Sequence, residues 1–240
     1  MDSFLECKNV VAGYLDAPII KGVSIEVKQG ELVAILGPNG SGKSTLLKSI
    51  IGLVKLFSGE IYFDGKRIDG LDTSALVERG IATCLQGKRV FPRLTVEENL
   101  WMGAYTIDKE KYRIKLAEVH SMFPFLEEKR KLFAGNLSGG EQEILTFARA
   151  MLTNPKIILV DEPSIGLSPK FVLSIYEKLQ KVNDLGIAIL LVEQNVRKAL
   201  EVADRVYVLD TGEKKFEGTP EELNKKEDLA AMYLGIKQEG

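Results

Sequence analysis

The stretch that most constrains this chain is Gly37-Pro-Asn-Gly-Ser-Gly-Lys43-Ser44, set between an apolar run and a helix-spaced segment. Leu32-Val-Ala-Ile-Leu36 is continuously apolar, as a parallel strand buried on both faces must be. Lys43-Ser-Thr-Leu-Leu-Lys-Ser-Ile-Ile51 carries helical apolar spacing. Strand, glycine loop, helix is the context in which G-x-x-x-x-G-K-[ST] holds phosphate. The glycines let consecutive N–H groups turn inward, Lys43 reaches the β and γ oxygens, and Ser44 can ligate Mg²⁺. The helix N-terminus adds its partial positive charge. Gly37, Pro38, Asn39, Gly40, Ser41, Gly42, Lys43, Ser44 and Thr45 are therefore the expected nucleotide cradle.

Ile157-Ile-Leu-Val160-Asp161-Glu162 is a second apolar strand, ending in two acids. Taken alone, a solvated acidic pair is an equal reading. Behind a phosphate loop, Asp161 is expected to hold the water shell of Mg²⁺ and Glu162 to orient the attacking water.

The rest of the chain divides by pattern. Glu60–Gly65 and Ile81–Leu85 read as hairpin-like stretches. Thr95-Val-Glu-Glu98 and Ser138-Gly-Gly-Glu141 have capping-box spacing, each opening a helix. Pro169 and Pro220 sit at first helical turns behind Ser168 and Thr219. Strands are expected at Ile157–Val160, Ile187–Val192 and Val206–Leu209. The expected organisation is one domain over 1–240. An α/β core (1–86 and 155–210) is interrupted by a helical subdomain (87–154) and closed by a C-terminal hairpin and helical tail (211–240). Val90, Phe91, Leu94, Trp101, Met102 and Tyr105 cluster at the helical subdomain's start, where most are expected to form its core.

Composition prunes the function classes. Lys and Arg number 32 against 34 Asp and Glu, a balance that argues against a nucleic-acid partner. Apolar runs are strand-sized, short of the ~20 residues of a membrane span. The start of the chain shows no secretory signal. Cys7 and Cys84 are isolated, consistent with a reducing compartment. A single histidine, His120, rules out histidine-rich zinc sites and is given no role. Lys129-Arg130-Lys131, Lys214-Lys215 and Lys225-Lys226 read as solvated faces.

The Gly37–Ser44 loop, Gln86, Leu137-Ser-Gly-Gly-Glu-Gln142 and Asp161-Glu162-Pro163 stand in the order and spacing of ABC-type ATPases, which the whole chain resembles. That resemblance implies a P-loop (RecA-like) ABC ATPase core with an N-terminal antiparallel β subdomain and an inserted helical signature subdomain. It further implies ATP and Mg²⁺ as cofactors, with Ser44, Gln86 and Asp161 at the metal. Ser138, Gly139, Gly140 and Glu141 would serve the nucleotide of a second protomer in a head-to-tail homo- or heterodimer. A helix start opened by two glycines suits that anion-binding role. Tyr14 sits where such proteins stack an aromatic on adenine, the alternative being a surface aromatic beside the sheet.

Arg89-Val-Phe-Pro-Arg-Leu-Thr-Val-Glu-Glu-Asn-Leu100, Asp161-Glu-Pro-Ser-Ile-Gly-Leu-Ser-Pro169, Leu191-Val-Glu-Gln-Asn195 and Tyr233-Leu-Gly235 are similar to the LivF-type ATPases of branched-chain amino-acid importers. The implied protein is cytoplasmic and peripheral on the inner membrane face. It would be bound to integral membrane permease subunits and act indirectly with a periplasmic or extracellular binding protein. One or two of the six clustered apolar residues would meet a helix of the membrane subunit.

Gln194 replaces the family's switch histidine, and the loop after Glu162 ends in Ser168 where Asp is usual. Lys43, Glu162 and Gln194 are the expected catalytic residues. Two alternatives stay open: a nucleotide-binding regulator without turnover, and a related urea or amide importer. A soluble ABC protein of DNA repair or translation is disfavoured, because Gln86 to Ser138 is too short for a coiled-coil arm and there is one phosphate loop.

Overall fold

The computed structural model describes residues 3–87, 90–105 and 107–226. Arg89, Tyr233-Leu-Gly235 and the tail expected beyond 226 lie outside them. A hairpin of β1 (Leu5–Tyr14) and β2 (Ala17–Val27) leads into β3 (Leu32–Leu36) and α1 (Lys43–Ile50). Next come β4 (Lys55–Phe63), β5 (Lys66–Arg67), α2 (Thr73–Glu78) and β6 (Ile81–Cys84). A helical block follows: α3 (Val96–Gly103), α4 (Lys109–Met122), α5 (Pro124–Glu128), a 3-10 turn at Ala134–Asn136, and α6 (Gly139–Leu152). The chain returns through β7 (Ile157–Asp161), α7 (Pro169–Asp184), β8 (Ala188–Val192) and α8 (Val196–Val202). It closes with β9 (Arg205–Asp210), β10 (Glu213–Gly218) and α9 (Pro220–Asn224).

Two sheets result. The antiparallel one runs β2-β1-β4-β5, and the larger one runs β10-β9-β3-β8-β7-β6. The larger sheet is parallel from β9 to β6, with β10 antiparallel at its edge. Its central strands face apolar layers on both sides. Leu32, Ala34 and Leu36 of β3 join the cluster beneath the helical block, while Val33 and Ile35 join the one beneath the antiparallel sheet. Burial on both faces is why the sequence shows continuous apolar runs there instead of alternation. The fold is α/β with a phosphate-loop core and an antiparallel β subdomain, as expected.

Several local readings change. Ile81–Leu85 is no hairpin: Ile81–Cys84 is the parallel edge strand β6, paired with β7. Helix α2, capped by Asp72 through Ala75 N–H at 2.8 Å, returns the chain from the antiparallel sheet to this strand. The Glu60–Gly65 reading holds, with Asp64 and Gly65 both at positive φ in the tight turn between β4 and β5. Both capping boxes form, and a third closes on Thr219. Ser168 makes no side-chain cap bond; α7 starts instead on Pro169, whose fixed φ is already helical. Of the six apolar residues expected mostly in the subdomain core, only Val90 is buried and Leu94 half-buried, while Phe91, Trp101, Met102 and Tyr105 are exposed. The reason is helical phase: α3 turns Val96, Asn99, Leu100 and Gly103 inward, which leaves Trp101 and Met102 on the opposite side.

Candidate nucleotide site

The strand order β3-β8-β7-β6 sets four loops side by side at the carboxyl ends of parallel strands, the usual ligand edge of an open α/β sheet. They carry Gly37–Gly42, Glu193–Asn195, Glu162 and Gln86 respectively. Register links them closely. Glu162 N–H donates to Val192 O at 2.8 Å, and Glu193 N–H to Ile35 O at 3.1 Å.

The loop after β3 needs its first glycine. Gly37 has φ 148°, and a Cβ there would lie 2.1 Å from the carbonyl oxygen of Leu209. Helix α1 opens on left-handed Gly42 with no side-chain cap, so its first N–H groups keep no side-chain acceptor. The Ser41 hydroxyl is buried without a hydrogen-bond partner. Lys43, also buried, donates to Gly37 O at 2.9 Å and Pro38 O at 3.0 Å. Its ammonium lies 4.0 Å from the Glu162 carboxylate. Burial lowers the Lys43 pKa, and the carboxylates of Glu162, Asp161 and Glu193 oppose that shift.

Asp161, at the end of β7, is 1% exposed. Its Oδ1 accepts the Ser44 hydroxyl at 2.8 Å, and its Oδ2 has no partner. Burial pushes the Asp161 carboxyl up. Glu162 is pushed up too, first by burial, with Lys43 opposing and the carboxylates of Asp161 and Glu193 adding to the rise. Its backbone is left-handed at φ 49°, a strained conformation of the sort found at functional sites. Gln86 Nε2 donates to Glu162 Oε2 at 3.2 Å.

This cluster fits a nucleotide with a divalent cation. Buried Ser41 Oγ and Asp161 Oδ2 are polar atoms whose bonds a ligand can complete. The carboxylates of Glu162, Asp161 and Glu193 all act electrostatically on Lys43, an excess of negative charge that a cation would offset. Among the described residues no group of three His, Cys, Asp or Glu side chains could hold a metal ion. Ser44 and Asp161 would hold such a cation together with phosphate and water, the ligand set that suits Mg²⁺.

The other expected residues are placed separately. Ser138 and Glu141 close their capping box at the start of α6. Lys129, expected as part of a solvated face, ion-pairs with Glu141. Gly139 has open space where a Cβ would go, whereas Gly140 lies under the Phe171 ring. Tyr14 stands at the end of β1, 47% exposed. Gln194 is exposed after β8, its N–H donating to Glu193 at 2.8 Å. Glu193 enters the sequence reading only within the Leu191–Asn195 motif, without a role of its own, and Phe171 does not enter it. A lone acid before Gln194 and an aromatic on an amphipathic helix carry no spacing that marks them.

The ABC transporter family profile matches residues 20–165. The chain is 43% identical to the high-affinity branched-chain amino acid transport ATP-binding protein BraG of Pseudomonas aeruginosa, over 89% of this chain and 91% of that one. It is 42% identical to the probable branched-chain amino acid transport ATP-binding protein LivF of Archaeoglobus fulgidus, over 94% and 96% respectively. Among solved structures, a nucleotide-free ATP-binding cassette from an ABC transporter superposes with TM-score 0.86 at 30% identity, covering 99% of this chain and all of that one. A dimeric cassette in a post-hydrolysis state, bound to ADP and Pi, superposes with TM-score 0.78 at 31% identity, over 90% and 98%.

Proposed function

The chain belongs to the ABC transporter family as an ATP-binding and ATP-hydrolysing subunit, and on that premise we propose that it powers an importer of branched-chain amino acids. The observation carrying this reading is the identity of 42–43% to two branched-chain amino acid transport ATP-binding proteins along nearly the full length of each.

In the proposed cycle Lys43 exchanges the carbonyls of Gly37 and Pro38 for the β and γ oxygens of ATP. The N–H groups of residues 37–45 cradle the phosphates, and Tyr14 stacks on the adenine. Ser44, Asp161 and Gln86 would hold Mg²⁺, which would supply positive charge against the charge developing on the transferred phosphate. Glu162 orients the attacking water and accepts its proton. Its raised pKa, caused first by burial, supports that role, because a stronger base accepts a proton more readily. Gln194 donates a neutral hydrogen bond toward the γ-phosphate. Ser138, Gly139, Gly140 and Glu141 act on the nucleotide of a second protomer in a head-to-tail dimer, a reading supported by the dimeric cassette it resembles. The core, helical and C-terminal segments work as one ABC ATPase domain.

No described helix is long and apolar enough to cross a membrane. The proposed place is the cytoplasmic membrane face, held by permease subunits and serving a binding protein indirectly. One or two of the exposed side chains Phe91, Trp101, Met102 and Tyr105 meet the permease. The test is reconstitution in liposomes with permease subunits and a binding protein of a branched-chain amino-acid importer. ATP-dependent uptake of leucine, isoleucine or valine is expected. Uptake of urea or an amide instead, or ATP hydrolysis that no membrane subunit stimulates, would overturn the substrate or the transport reading respectively.

A further inference from the structure

We propose that Glu193 is a positioning residue: its carboxylate clamps the Gln194 loop to the segment after Glu162, fixing the two catalytic side chains relative to each other. This rests on the roles given above to Glu162 and Gln194. Glu193 directly follows the last residue of β8 and is 1% exposed. Burying a carboxylate is costly unless its oxygens are satisfied, and here three backbone N–H groups converge on it. Ser164 N–H donates to Oε1 at 3.2 Å, while Gln194 and Asn195 N–H donate to Oε2 at 2.8 and 2.9 Å. One donor comes from the loop after β7 and two from the loop after β8, so the carboxylate bridges the segments carrying Glu162 and Gln194.

The surroundings are built around this bridge. Tyr176 of α7 is buried, and its phenol is pushed up by burial first and then by the Glu193 carboxylate beside it. Glu162, Ser164, Ile165, Glu193, Gln194 and Asn195 line one cavity of about 250 Å³. The proposed water-orienting group and the proposed γ-phosphate donor therefore share walls with the clamp. A carboxylate is the acceptor-only group this geometry calls for. A glutamine would turn an NH₂ toward at least one of the N–H donors.

The test is steady-state ATP hydrolysis and MgATP affinity of the full chain, with its partner subunits, for Glu193→Gln, Gln194→Ala and the double variant. If the clamp sets the Gln194 geometry, Glu193→Gln lowers kcat by about 10²-fold, the scale of a 1 Å misplacement, with ATP affinity and KM unchanged. Added to Gln194→Ala, it lowers kcat no further. A wild-type kcat in Glu193→Gln, or losses that multiply in the double variant, overturns the proposal while leaving the Gln194 role intact. A wild-type kcat in Gln194→Ala overturns the Gln194 role itself, and the clamp's route with it. If Glu193→Gln fails to fold, Glu193→Asp keeps every acceptor one methylene short. It should then show a reduced kcat at unchanged KM, and a raised KM at wild-type kcat would count against the clamp.

Discussion

The ring of Phe171 covers Gly140 so closely that a Cβ on that glycine would sit 2.4 Å from it. Phe171 lies in the first turn of α7, in the core, and Gly140 in the first turn of α6, in the helical block. The second glycine of the Leu137–Gln142 motif thus has a packing reason inside one chain, separate from any role toward a partner's nucleotide. The neighbouring Gly139 has open space where its Cβ would be.

The two glycines should therefore respond differently. Gly140→Ala must push Phe171 aside and should cost about 1–3 kcal/mol of stability, the usual range for overpacking. Gly139→Ala should leave thermal unfolding nearly unchanged, while Gly139→Trp spares single-protomer ATP affinity but abolishes turnover. Thermal unfolding and ATP titration of the three variants check this. Equal destabilisation by the two alanines would contradict the Phe171 account.

Glu143 on α6 is half-buried, and burial pushes its pKa up to about 7. The folded chain therefore holds this proton where the unfolded chain releases it. The stability contribution is full below the ordinary carboxylate value and is lost as pH rises toward 7. Glu143→Gln should match wild type closely near pH 5 and exceed it by about 2 kcal/mol at pH 8. Denaturant unfolding at both pH values measures the difference, and parallel stability profiles would contradict it.

Trp101 and Tyr105 are 61% and 65% exposed on the helical block. Trp101→Ala with Tyr105→Ala should leave ATP affinity and chain stability within about 0.5 kcal/mol of wild type, as surface changes do. Co-purification with the permease should fall. A variant that still co-purifies fully would place the docking surface elsewhere.

Gln194 cannot titrate, so the pH profile of kcat should contain no step assignable to a switch imidazole, whose unperturbed pKa is ~6.5. Gln194→Ala should reduce kcat by up to ~10²–10³, the scale of a lost preorganised donor. Gln194→His should bring in a new pH step. Profiles of kcat at saturating MgATP, identical across the three proteins, would rule out a switch role at this position.

The phosphate loop, the Asp161–Glu162 strand end and both capping boxes were legible because each depends on contiguous residues with a local physical reason. Helix α2 was missed although Asp72 caps it, because its six residues are too few to show a helical period. Strand β6 reads as hairpin in the sequence because its pairing direction is set by β7, 76 positions away in the chain. The exposure of Trp101 and Met102 depends on which face of α3 the neighbouring helices cover. The Glu193 bridge depends on two loops that only the sheet brings together. Contacts of that kind leave no local mark in a sequence.

Glu162 is proposed as the water-orienting base of an ATPase whose site is completed by a second protomer. Glu162→Gln keeps the shape and loses the base, so it tests this directly. Size-exclusion chromatography with light scattering, with and without MgATP, read beside the hydrolysis rate, is the measurement. Retained ATP binding, hydrolysis reduced by at least ~10²-fold and a dimer that appears only with MgATP are expected. Hydrolysis at the wild-type rate, or an ATP-bound protein that stays monomeric, would contradict it.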